Sequence, residues 1–85
     1  MIPTAEVFLE QLNTLLHTAA NEGINFIDIT SGDLHREVGG YPGHNHRMPV
    51  CCYVMKENMK SGDTILSQPE KGTGATLVIR YLLPR

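Results

Sequence analysis

Long apolar runs are missing from this chain, and positive charge is missing from its first third. No apolar stretch approaches the roughly 18 residues that a membrane span requires, so no such span is expected. The opening MIPTAEVF has no cationic n-region, so a secretion signal is not expected either, and the cytoplasm is the expected location. Cysteine is confined to the adjacent pair Cys51 and Cys52. Neighbouring cysteines seldom meet the geometry of a disulfide, so no disulfide framework is expected. If both lie on a helix they point about 100° apart. One is then expected inside, as a small apolar group, and the other on the surface. Internal repeats, linkers and low-complexity tracts are absent as well.

Catalytic patterns are equally scarce. There is no Ser-His-Asp set, no paired-carboxylate site and no phosphate-cradling loop. The KGTG of residues 71–74 is too short for a P-loop and has no helix after it. A Cys-His nucleophile would need Cys52 exposed beside His46 or His35. It would also need a pocket that 85 residues can hardly enclose. His44-Asn45-His46 spells the letters of an HNH nuclease, but a ββα-metal site spreads its histidines over a hairpin and the following helix. Here they fall in one turn. His44, His46, Cys51 and Cys52 are ligand types that zinc accepts, yet paired ligands normally stand about two to four residues apart. Adjacent cysteines on a helix diverge. Neither catalysis nor a metal or other cofactor is expected.

What is present fits one small globular domain over residues 1–85, with 41% apolar and 19% charged residues. The net charge of −2 is unevenly divided. Residues 1–33 hold Glu6, Glu10, Glu22, Asp28 and Asp33 with no Lys or Arg, whereas all seven Lys and Arg follow, against Glu37, Glu57, Asp63 and Glu70. Such asymmetry points to a polarised surface, and binding follows the local field more than the total.

Hydrophobic spacing gives the elements. Phe8, Leu12, Leu15, Leu16 and Ala19 form one stripe of a helix over 5–22, with Thr4 as its cap and Gly23 as its stop. INFIDIT, residues 24–30, reads as a short strand. Thr30 or Ser31 then caps a short helix, with Asp33 placed to complete a capping box on Thr30. Leu34 and Val38 would face the core, and Gly39-Gly40 ends that helix. Pro42-Gly43 fits a type II turn. Pro49 suits the first turn of a third helix, in which Val50, Cys51, Val54 and Met55 share one side. Cys52, Tyr53, Lys56 and Lys60 fall on the other side. Residues 64–69 and 75–82, joined by a Gly-containing loop with Lys71 at its tip, read as a β-hairpin. In its second strand Leu77, Ile79 and Tyr81 share one face.

The order helix, strand, helix, turn, helix, strand, tip, strand resembles the winged helix-turn-helix superfamily. The resemblance covers essentially the whole chain and rests on pattern rather than on a diagnostic motif. It implies an α+β fold of three helices with a small three-stranded antiparallel sheet, in which residues 25–29 pair with the hairpin. It further implies that residues 49–60 form a recognition helix for the major groove and that Glu70–Gly74 form the wing tip. The connection from Gly39 to Met48 is longer than the roughly 3–4 residues of a minimal helix-turn-helix, and Glu70 beside Lys71 weakens the tip's attraction for phosphate.

The expected function is therefore binding of double-stranded DNA without catalysis, as a transcription regulator or a DNA-targeting accessory module. Arg47, Lys56, Lys60 and Lys71 are the candidate phosphate contacts. Asn45 and His46 sit just before the third helix, Arg47 can read guanine and Asn45 adenine, and Tyr53 can meet a phosphate or a thymine methyl. The alternative is a protein-interaction module or small inhibitor on the same scaffold, in keeping with the negative net charge and the Tyr41 and His44 loop. The Glu6 and Glu10 side of the first helix is free for a partner or for self-association.

Overall fold

The computed structural model describes residues 3–39 and 47–85. Among them are three helices and three strands: α1 (Ala5–Asn21), β1 (Phe26–Thr30), α2 (Ser31–Val38), α3 (Met48–Glu57), β2 (Thr64–Ser67) and β3 (Val78–Leu82). The strands form an antiparallel sheet in the order β1-β3-β2. This is the α+β arrangement of three helices and a three-stranded antiparallel sheet that the resemblance implies, with the first strand paired onto the hairpin.

α1 forms because its apolar residues recur with the helical period, so Phe8, Leu12, Leu16 and Ala19 bury as one stripe. The Thr4 hydroxyl accepts the Val7 N–H, and Glu6 stands in the first turn where the helix dipole favours an anion. The helix closes as the Ile24 N–H donates back to the Ala19 carbonyl around Gly23, whose φ of +81° a side chain would rarely adopt.

The sheet covers the core with one face. Ile79 and Tyr81 of β3, and Leu77 just before it, are fully buried, as their period-2 spacing predicts. The Tyr81 hydroxyl donates to the Met55 carbonyl at 2.8 Å, which ties the sheet to α3, and burial pushes its phenol well above the ordinary range. The expected strands contract: the run over 64–69 to the four residues of β2, with a register irregularity between Ile65 and Ser67, and the run over 75–82 to β3, Ala75 and Thr76 lying in a turn.

Two local expectations need correction. The capping box of Thr30 and Asp33 does not form, since Thr30 makes no side-chain cap bond. The hairpin supplies the acceptors instead. Ser31 N–H donates to the Leu77 carbonyl at 2.8 Å and Gly32 N–H to the Ala75 carbonyl at 3.1 Å, satisfying donors that a helix start leaves open. This approach is so close that a Cβ on Gly32 would lie 2.9 Å from the Ala75 oxygen. The second correction concerns the cysteines. Both are 0% exposed, not one inside and one outside.

The end of α3 is joined to the sheet by one carboxylate. Asp63 accepts the Lys60 N–H and the Leu82 N–H, each at 2.8 Å, and pairs with Arg85 at 2.8 Å. Its side chain is only 1% exposed, and that of Arg85 11%. Arg85 also donates to the carbonyls of Asn58 and Leu82. Burial pushes the Asp63 carboxyl upward, but these two N–H groups and the guanidinium outweigh it and hold the group below its ordinary value.

Candidate nucleic-acid interface

The outer side of α3 presents Tyr53, 60% exposed, one turn from Lys56 and Glu57. The Tyr53 phenol is pushed above its usual range by a hydrogen bond to the Glu57 carboxylate. Arg47, exposed at the N-cap of the helix, lines an open cavity of about 450 Å³ together with Tyr53, Pro49, Val50, Thr4 and Ala5. Toward the other end of the helix, the Lys56 ammonium donates to the Gly72 carbonyl at 2.7 Å, next to exposed Lys71 in the β2–β3 loop. Arg47, Tyr53, Lys56 and Lys71 thus follow one another along a strip from the start of α3 to the hairpin tip. Glu57 and Glu70 interrupt its positive charge.

Lys60 lies apart from that strip. It lines a second open cavity, of about 730 Å³, between the latter half of α1 and the chain after β3, with His17, Asn21 and Arg85 among its neighbours. Asn45 and His46 fall outside the described residues, as do His44 and the Pro42-Gly43 turn.

Two buried residues position this face, and the sequence reading assigned neither that task. His35, fully buried on α2, accepts the Arg47 backbone N–H on Nε2 at 2.8 Å and meets the Phe8 ring edge-on, with the centroids 4.8 Å apart. This fixes the first turn of α3 against α2. Cys52 exchanges two contacts with Gly74, its thiol donating to the Gly74 carbonyl and its sulfur accepting the Gly74 N–H, each at 3.4 Å. The spacing of Cys52 and Lys56, one helical turn apart, was the only sequence signal for their shared side of α3.

The cysteines also bear on the alternative chemistries. The Cys51 thiol donates to the Ser31 carbonyl, and burial first, then the neighbouring Cys52, raise it to about 12. Cys52 is not the exposed thiol that a Cys-His nucleophile requires. Among the described residues, no group of three or more His, Cys, Asp or Glu is placed to hold a metal ion. Among them, too, no helix is long and apolar enough to cross a membrane.

Away from the strip, the outer face of the sheet carries exposed Phe26 opposite exposed Leu82. The Arg80 guanidinium lies over the Phe26 ring, 4.2 Å from its centroid, while bonding both Asp28 oxygens. These hydrogen bonds, more than the bare charge, lower the Asp28 carboxyl and raise Arg80. Comparison of the chain with protein-family models, with curated proteins and with solved structures returns no match.

Proposed function

We propose that this chain is a winged-helix domain that binds double-stranded DNA and does not catalyse a reaction. In this reading α3 enters the major groove and the β2–β3 loop is the wing on the adjacent backbone. The observation that carries it is the strip from Arg47 through Tyr53 to Lys71, because it joins a helix end, a helix face and a loop tip into one elongated surface. Arg47 and Lys71 act as phosphate contacts, and Tyr53 packs on a phosphate or a thymine methyl. Asn45 keeps its adenine-reading role and Arg47 its option of reading guanine, with His46 as a further candidate contact before α3. Lys60 contributes through the general field rather than through this strip.

Fluorescence anisotropy with a labelled mixed-sequence duplex at low salt tests the reading. Binding is expected, and Arg47→Glu with Lys71→Glu is expected to abolish it while leaving the circular dichroism unchanged. Duplex binding that survives both charge reversals would overturn the proposal.

A second reading, a protein-interaction module, is favoured by the exposed Phe26 and Leu82 pair on the outer sheet face. Under it, a protein partner co-purifies, Phe26→Ser releases that partner, and no duplex shifts in a gel.

A further inference from the structure

Lys56 is the cation of α3 whose ammonium is already engaged within the fold. Its Nζ donates to the Gly72 carbonyl at 2.7 Å, and Cys52, one turn earlier, brackets the Gly74 peptide through both its N–H and its carbonyl. Cys52 and Lys56 stand one helical turn apart, so the helix grips the loop at two points, Gly74 and Gly72, from one side.

Other bonds hold the root of the same loop. The Ser31 hydroxyl donates to the Gly74 carbonyl, so that oxygen is reached from both α2 and α3. Gly72 N–H closes a turn onto the Pro69 carbonyl at 2.8 Å. Toward the tip, Lys56 carries the contact from α3 to the loop through the Gly72 carbonyl. Gly72 has φ of +82° and Gly74 φ of +154°, values that L side chains rarely adopt, so this backbone is shaped for a close fit rather than for a regular ladder.

We propose that Lys56 is a positioning residue for the wing and not a phosphate contact, and that Cys52 and Lys56 together set the distance between α3 and the loop tip. The proposal rests on the DNA-binding reading for its consequence, because the spacing it sets is that between a helix in the groove and Lys71 on the backbone. The clamp itself is a property of the free protein.

The test compares Lys56→Met, which keeps the stem and loses charge and donor, with Lys56→Arg and Lys71→Ala. In the free protein, hydrogen exchange at the Gly72 and Gly74 N–H groups is expected to speed up about tenfold or more in Lys56→Met, the order expected for losing a charged hydrogen bond. Lys56→Arg is expected to restore most of the protection. On a duplex, Lys56→Met is expected to weaken binding several-fold while leaving the slope of log K against log salt unchanged, whereas Lys71→Ala lowers that slope by about 1. Unchanged exchange in Lys56→Met, or a slope lowered by about 1 in that variant, overturns the proposal. If the wild type binds no duplex, the exchange arm still decides the clamp, and only the DNA-binding reading fails.

Discussion

Replacing Asp63 with alanine removes the acceptor that three donors share at the end of α3. The N–H groups of Lys60 and Leu82 and the Arg85 guanidinium all lose a partner 2.8 Å away. Solvent replaces little of this, because the two side chains are 1% and 11% exposed. Hydrogen bonds to a charged group are worth about 1.5–3 kcal/mol each, and breaking a buried ion pair from one side costs about 3–5 kcal/mol. These contributions overlap, so about 3 kcal/mol is the expected loss. A chain of this size has a total stability of about 4–13 kcal/mol, so the change is a large share of it. With a denaturant slope of about 1–3 kcal/mol per molar, the urea midpoint falls by about 1 M or more. Urea unfolding followed by circular dichroism at neutral pH measures this. A midpoint within about 0.3 M of wild type, at unchanged slope, would refute the reasoning.

The same carboxylate gives a pH signature. Its value in the folded protein lies below the ordinary 3.8, so the unfolded chain holds this proton more tightly. Its contribution is complete above the unfolded value and is lost as pH falls through the lower folded one. Asp63→Asn is therefore expected to flatten the acid limb of the stability curve below about pH 4. Asp28 is shifted in the same direction by Arg80, but it is solvent-exposed and its part is screened. Both thiols are expected to resist Ellman's reagent in the native protein and to react together after unfolding, since both are fully buried; rapid labelling of one thiol in the native state would contradict that. Gly32→Ala is expected to cost about 1–3 kcal/mol by overpacking against the Ala75 carbonyl, read as a lowered melting temperature. An unchanged melting temperature would mean that the α2 start and the hairpin give way freely.

Much of the fold was legible because it rests on periodicity. The α1 stripe and the alternation of Leu77, Ile79 and Tyr81 are short-range patterns, and burial follows them directly. What the pattern missed was set by distant chain. Cys52 falls on the polar side of a helical wheel, yet it is buried because the hairpin root folds over that side of α3. Asp63 reads as a turn former after Gly62, and only the return of β3 and Arg85 makes it a joint. The Thr30 cap failed for the same reason, as carbonyls more than 40 residues away took the helix-start donors. The candidate strip was legible in its members but not in its order, and Lys60 shows the limit. Its spacing from Lys56 suggests one shared face, but α3 ends at Glu57 and Lys60 turns toward α1.

The central claim is that Arg47 and Lys71 meet the phosphates of a duplex, and the salt dependence of duplex affinity tests it most directly. Wild-type protein titrated onto a labelled duplex at increasing salt is expected to give a linear fall of log K with log salt. Arg47→Ala and Lys71→Ala are each expected to reduce that slope by about 1. Affinity that does not change with salt, or slopes unaltered in both variants, would contradict the account.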